Sequence, residues 1–175
     1  MPKIDTIKNA FLLLSVIGSV TAQAEEKANY VEAAFGRLNY EESGYRLTPS
    51  VGRIMLGAKV SENVALEALG AIGMGSSTTG IVTLKVNHGF GAYVKPFFPV
   101  NEKVDLFGRF GVFNGSLTAS APGVSISTSG SSFSYGAGVS VTVAENISLV
   151  ADYMSYYDKN SITINGWSVG AKFGF

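Results

Sequence analysis

The sequence predicts an all-β chain, an eight-stranded antiparallel up-and-down transmembrane β-barrel, and three observations carry that expectation. Apolar and polar residues alternate with a period of two over most of the chain, which is the period of a strand and not of a helix. A short motif recurs three times between alternating stretches. Charged residues are spread over one face of the strands while the other face is almost entirely apolar.

Composition sets the bounds. The 175 residues include 13 Lys+Arg, 13 Asp+Glu, 21 Gly and no Cys, with 46% hydrophobic and 15% charged. A disordered chain needs the opposite balance, so disorder is excluded. Zero net charge argues against a nucleic-acid partner, which selects basic surfaces. Without Cys there is no disulfide framework and no thiol chemistry.

The N-terminus carries Lys3 and Lys8, a mostly apolar run from Ala10 to Val20, and Ala22-Gln23-Ala24 before Glu25 and Glu26. This is the layout of a cleaved secretory signal over residues 1–24, leaving a barrel domain over 25–175. Eleven residues rise only about 16 Å as a helix, too short for a hydrocarbon core of about 30 Å.

The repeated motif is V-x-E-[NK]-[VI]-x-L, at Val60–Leu66, Val100–Leu106 and Val143–Leu149, with spacings of 40 and 43 residues. A period of that size marks a repeated strand pair, and each copy is read as a tight hairpin turn. Around the first turn Ile54, Leu56 and Ala58 oppose Arg53, Met55 and Lys59, and Val64, Leu66 and Ala68 oppose Ala65, Glu67 and Leu69. Around the second, Phe90, Ala92, Val94 and Phe98 oppose Gly91, Tyr93 and Lys95, and Leu106, Phe110 and Val112 oppose Asp105, Phe107 and Arg109. Around the third, Tyr135, Val139 and Val141 oppose Ser134 and Ser140, and Ile147, Leu149 and Tyr153 oppose Ser148, Asp152 and Met154. A first strand near Asn29 to Leu38 and a last near Trp167 to Phe175 complete the eight. Longer loops are expected near 39–50, 73–80, 114–131 and 155–165. In the third, Pro122-Gly123 flanked by Leu117, Ala119, Val124 and Ile126 reads as a hairpin rich in Ser and Thr that continues two strands beyond the membrane.

A soluble core cannot be built around Arg53, Lys59, Glu67, Asp105 and Arg109, because unpaired buried charge is costly. An apolar exterior against lipid and a polar interior resolves the conflict. Inward parity then collects Glu32, Arg53, Lys59, Glu67, Lys95, Asp105, Arg109, Asp152 and Lys172 as a lumen ion-pair network, plugging a barrel whose interior side chains can fill. Register through the turns pairs Gly57 with Glu67, placing Lys59 diagonal to Glu67. With Phe98 opposite Val104, it places Lys95 diagonal to Asp105. Glu32 and Lys172 meet where the first and last strands close. Two aromatic belts are expected, Tyr30, Phe97, Phe98, Phe173 and Phe175 at the short-turn end, and Tyr40, Phe113, Tyr153, Tyr156, Tyr157 and Trp167 at the other. Pro96 lacks an N–H for a ladder, so a bulge or an early strand end is expected there.

The C-terminal octet Ser168-Val169-Gly170-Ala171-Lys172-Phe173-Gly174-Phe175 carries a resemblance. Together with the barrel pattern, it resembles the small eight-stranded outer-membrane barrels: the OmpX and Ail group, the OmpA transmembrane domain and the neisserial surface protein A type. The resemblance implies that Ser168, Gly170, Phe173 and Phe175 form the signal read by the barrel-assembly machinery. It also implies a monomer in the outer membrane of a Gram-negative bacterium, among lipid and lipopolysaccharide, with its long loops outside. Its expected role is adhesion, host interaction through those loops, or envelope integrity, without enzymatic activity or cofactor.

Chemistry-bearing motifs are scarce. The only His, His88, falls on the outward face, and the His-x-Ser pattern of the similar lipid A deacylases is absent because Gly89 and Phe90 follow it. Gly70–Gly75 and Gly130–Gly138 precede no helical pattern, which removes a phosphate-loop reading. Glu41 and Glu42 read as a solvated loop, and no catalytic, cofactor or metal residues are assigned. A lipid A-modifying enzyme and a narrow solute pore are the alternative readings.

Overall fold

In a computed structural model, residues 29–42, 44–159 and 161–175 are described, and they form one closed antiparallel sheet. The expected signal segment 1–24 lies outside the described residues. Strands β1 (Asn29–Glu42), β3 (Ser50–Ser61), β4 (Val64–Gly75), β6 (Val82–Asn101), β7 (Val104–Ala121), β8 (Val124–Ala144), β9 (Ile147–Lys159) and β10 (Ile162–Gly174) make the wall. Two short strands, β2 (Tyr45–Leu47) and β5 (Ser77–Thr79), widen its outer rim. Each wall strand pairs with its neighbour in sequence, and β10 pairs with β1 from Glu42↔Ile162 to Tyr30↔Gly174. Closure leaves no free sheet edge at membrane depth, which a bilayer demands of any spanning sheet.

The repeated motif makes the three inner turns, each with two residues between strands: Glu62-Asn63, Glu102-Lys103 and Glu145-Asn146. At the opposite end Pro122-Gly123 connects β7 to β8. Gly123 has φ +79°, the left-handed value a Pro-Gly type II turn requires at its second central residue. Thr48 N–H donates to Ser77 Oγ at 2.9 Å and Thr79 Oγ1 donates to Arg46 O at 3.3 Å. These bonds tie the loops around β2 and β5 together.

Alternation sorts the side chains as a lipid-facing barrel needs. Ile54, Leu56, Leu66, Phe90, Val94, Leu106, Phe110, Val112, Leu149 and Val169 are exposed on the outer wall, while Glu32, Arg53, Glu67, Lys95, Arg109 and Asp152 are buried within. At about 25 cal/mol per Å² this exterior would be unfavourable in water, and in lipid it is the favourable surface.

Several expectations need correction. The expected loop 155–165 is almost all strand, because β9 runs to Lys159 and β10 starts at Ile162; Ile162 and Ile164 keep the inward period and pack with Tyr156 and Tyr157. The wall therefore rises beyond the first and last strands as expected, with β1 extending to Glu42. β6 neither bulges nor ends at Pro96. Its pairing with β7 skips Lys95 and Pro96 and resumes at Phe97↔Phe107 in the same register as Val94↔Phe110. Pro96 still pairs with Val64, and Phe97 N–H donates to Asn63 O at 2.9 Å, so the neighbours hold the strand straight. The bulges fall instead between Val86 and His88 and between Pro99 and Asn101. Phe98 pairs with Leu106 and not Val104, a shift of two residues from the expected register. Val60 likewise sits in a bulge between the pairs Lys59↔Ala65 and Ser61↔Val64, although Gly57 does oppose Glu67. The aromatic belts are thinner than expected: Phe98, Phe173, Phe175, Tyr153 and Trp167 face outward, but Tyr30 and Tyr156 are buried in the lumen and Phe113 and Tyr157 pack against its apolar cluster.

Candidate functional site: a charged layer within and a free strand edge above

The centre of the lumen is a layer of charge built from strands far apart in sequence. Arg109 on β7 is fully buried. Its Nη2 donates to Glu32 at 2.6 Å, its Nε to Glu67 at 2.6 Å, and its Nη1 to Asp152. Arg53 on β3 donates to Asp152, to Glu32 at 3.1 Å and to the Tyr156 hydroxyl at 2.8 Å. Lys95 reaches Glu67 at 3.1 Å and lies over the Phe107 ring, 4.3 Å from its centroid. Three cations thus meet three carboxylates, a neutral set in which every carboxylate is shared. Shared, charge-assisted hydrogen bonds are what make burial of ions tolerable.

Polar neighbours finish the layer. Tyr30 donates to Glu67 at 2.6 Å, Ser168 donates to Asp152 at 2.8 Å, and Tyr93 donates to Ser134 at 3.1 Å. Sequence reasoning missed Tyr30, Tyr93, Tyr156 and Ser134 in this role. Parity carried the signal: Tyr30 lies two residues before Glu32, Tyr93 two before Lys95, and Tyr156 four after Asp152.

Of the nine residues assigned to the lumen, six form this layer and three do not. Lys59, Asp105 and Lys172 are half-buried around a polar cavity of about 560 Å³ at the inner mouth, with Glu62, Phe97 and Glu145 also in its wall. Glu32 and Lys172 are backbone partners, yet the Glu32 carboxylate turns to the two arginines while Lys172 Nζ lies 5.6 Å from the Tyr30 ring centroid. Lys95 pairs with Glu67 and not with Asp105: the shifted β6–β7 register takes Asp105 off its diagonal, and the β4–β6 pairs Ala65↔Lys95 and Glu67↔Tyr93 put Glu67 there.

The C-terminal residues sit as follows. Phe173 and Phe175 are exposed on the outer wall. Gly170 lies so close to β1 that a Cβ would overlap the Ala33 carbonyl oxygen. Phe175 N–H donates to Asn29 O at 2.9 Å and fastens the chain end to the first strand.

Outside, β7 and β8 rise together as a hairpin, paired from Val104↔Val141 to Ala121↔Val124. β8 pairs with β9 only up to Tyr135↔Ser155. Among the described residues, therefore, β8 has a ladder on one side only from Val124 to Ser134. Lys159 Nζ donates to Ser131 O at 2.9 Å, so the uncapped stretch is Val124–Gly130. No charged residue occurs between Phe110 and Ala144, and Val124 and Ile126 are exposed at the tip.

His88 is exposed on the outer wall with its ring 5.6 Å from that of Phe90. Its cross-strand partners are Ile72 and Ser116, which supply no carboxylate to orient it. Glu41 is held by Arg46 and Glu42 by the Tyr40 hydroxyl. Among the described residues no cluster of His, Asp or Glu could hold a metal ion.

Comparison with known proteins decides the family, since the profile of the outer membrane protein beta-barrel domain matches residues 10–175. The chain belongs to that family. Its place is thus the outer membrane of a Gram-negative cell, with the rim of β2, β5 and the β7–β8 hairpin outside. Within this outer-membrane barrel family, the attachment invasion locus protein of Yersinia enterocolitica is 36% identical over 95 residues, 52% of this chain and 53% of that protein. The chain thus spans about half the length of that relative. The crystal structure of Ail from Yersinia pestis, in complex with the heparin analogue sucrose octasulfate, has a TM-score of 0.67 at 21% identity and covers 86% of this chain and 99% of its own. Neisserial surface protein A has a TM-score of 0.71 at 16% identity, covering 84% of this chain and 97% of its own. Both share the eight-stranded transmembrane fold.

Proposed function

We propose that this barrel is a non-enzymatic surface protein that recognises an extracellular or host protein by adding one of its strands to the free edge of β8. The single observation that carries this reading is the stretch Val124–Gly130, whose ladder is satisfied on one side only and which stands above the closed wall. Unpaired backbone N–H and C=O groups in an extended strand are a template for a further strand. The likeness to an attachment invasion locus protein supports an adhesive role. The heparin analogue bound to Ail points to a different chemistry, which the hairpin does not offer, since it holds no Lys or Arg to meet sulfate.

The remaining assignments follow from the same reading. Residues 1–24 direct export and are removed, and the C-terminal aromatics are read by the barrel-assembly machinery. The monomeric barrel sits among lipid and lipopolysaccharide, with Arg37 and Lys85 exposed toward the outer end. The charged layer seals the lumen. Purified protein in planar bilayers is accordingly expected to give no stable ohmic channels, and reproducible conductance steps would restore the pore reading.

Gly115 and Gly130 are directly paired, so residues 116–129 can be replaced by Asn-Gly as a two-residue hairpin turn without disturbing the register below. The shortened protein should fold and insert normally yet lose capture of matrix or serum proteins that the full chain pulls down. Capture by the full chain should change little between about 0.15 M and about 0.5 M salt, because no charge on the hairpin is there to be screened. Equal capture by both proteins would place recognition elsewhere.

A further inference from the structure

The open edge of β8 has a definite set of outward backbone groups. Only Pro122 and Gly123 separate Ala121 from Val124, which are paired. Such a turn closes on a hydrogen-bonded pair, so alternation turns the N–H and C=O of Val124, Ile126, Thr128 and Gly130 toward β7 and those of Ser125, Ser127 and Ser129 toward the open side. Two observations agree with this. The Ser120 and Ser125 hydroxyls meet at 3.0 Å and those of Thr118 and Ser127 at 2.8 Å, the close side-chain approach of non-hydrogen-bonded pairs. Ser131, next in the outward set, accepts Lys159 Nζ at its carbonyl oxygen, and there the open edge ends.

The side chains along this edge repeat when the strand is turned end for end. From Ser125 to Ser129 serine alternates with the β-branched Ile126 and Thr128, and Ser127 is the centre. An antiparallel copy set about Ser127 puts Ser127 opposite Ser127, Ser125 opposite Ser129 and Ile126 opposite Thr128 of the other chain. Hydroxyls then meet on one face and β-branched side chains on the other, both favourable cross-strand pairs. Val124 falls opposite Gly130, so Gly123 of each copy lies level with Ser131 of the other and the pairing uses the whole open edge. Like charges opposed across a self-pair would repel, and no charged residue occurs between Phe110 and Ala144. Uncharged, free of proline and carrying Val, Ile and Thr, the segment has the composition from which strands self-assemble. We infer that the partner for this edge is a second copy of this chain on a neighbouring cell, joined to it by antiparallel pairing of Val124–Gly130. Self-pairing rests on the strand-addition reading of β8 and names its partner. Copies in one membrane point β8 the same way and would meet parallel, whereas facing membranes bring the strands together antiparallel, the slightly more stable mode. So short a pairing is weak alone, and contact between two cells multiplies it.

Because the chain has no Cys, single cysteines can report the register. Two populations of cells with short lipopolysaccharide carry the full chain under different epitope tags and are mixed under mild oxidation, so that a dimer bearing both tags forms only between cells. With Ser127→Cys in both, the paired Cα atoms lie about 5.5 Å apart, within disulfide reach. Ser125→Cys in one population and Ser129→Cys in the other are equally well placed. Ser125→Cys in both is four residues out of register, about 14 Å, too far to bridge. Mixed dimers are therefore expected from the first two combinations and not from the third. No mixed dimer from the first two, or as much from the third, would overturn self-pairing. Capture of matrix or serum proteins is scored on the same cells, with and without the hairpin. Hairpin-dependent capture without mixed dimers would leave strand addition standing and remove only self-pairing, while absence of both would remove the two together.

Discussion

Replacing Arg109 by Ala should destabilise the folded barrel by about 3 to 5 kcal/mol, the cost of stranding charge that one partner had neutralised. Arg109 is the one cation bonded to all three of Glu32, Glu67 and Asp152. Without it Arg53 and Lys95 face three carboxylates, and the layer is left with an excess negative charge away from water. Arg109→Lys should recover only part of the loss, because an ammonium cannot present the planar fork that serves three acceptors at once. The sequence holds a single Trp, and Trp167 lies half-exposed on the outer wall, so its fluorescence during urea titration in lipid vesicles reports barrel loss. Glu102→Ala, in an exposed inner turn, is the control and should stay within about 0.5 kcal/mol. An Arg109→Ala protein as stable as that control would show that the lumen is simply hydrated.

Loss of the C-terminal aromatics should have an effect as large, but on assembly. Deleting Phe173–Phe175 removes the last closing pairs, Phe173↔Val31 and Gly174↔Tyr30, and the bond from Phe175 to Asn29. Most of the protein should then be exported but fail to enter the outer membrane. Phe175→Glu separates recognition from closure, since it keeps the backbone bond and alters only a side chain that faces outward. It too should deplete the outer-membrane fraction and leave unfolded protein in the periplasm. Normal outer-membrane levels of Phe175→Glu, with the deletion still defective, would reduce the C-terminus to a structural latch.

Much of this architecture was legible because a barrel wall repeats the simplest sequence signal there is. Period-two alternation placed Glu32, Arg53, Glu67, Lys95, Arg109 and Asp152 inside, and the thrice-repeated motif located the inner turns. What alternation lacks is distance across the lumen. Arg109 meets Asp152 from two strands away and Glu32 from the far side of the barrel, and no cross-strand rule predicts such contacts. Local pairing failed where the turn itself was irregular. Asn101 Oδ1 accepts from the N–H groups of Lys103 and Val104 at 2.9 and 3.0 Å, and Pro99 has no N–H to offer. Both lie at the β6–β7 register shift, which takes Asp105 off the diagonal of Lys95 and leaves that lysine to Glu67, its diagonal neighbour on β4. The inward tyrosines were obscured differently. An aromatic near a strand end suggested an interface belt, although the parity of Tyr30 and Tyr156 already put their hydroxyls with the charges.

The free edge of β8 is where the account meets function, and amide hydrogen exchange tests it most directly. Exchange is measured along Val124–Gly130 with and without a protein captured by the full chain. Strand addition predicts slowed exchange at alternate residues of that stretch, those whose N–H groups point away from β7, with the loops around β2 and β5 unchanged. Slowed exchange confined to residues 44–49 and 76–81, with β8 exchanging as fast as in the free protein, would contradict it.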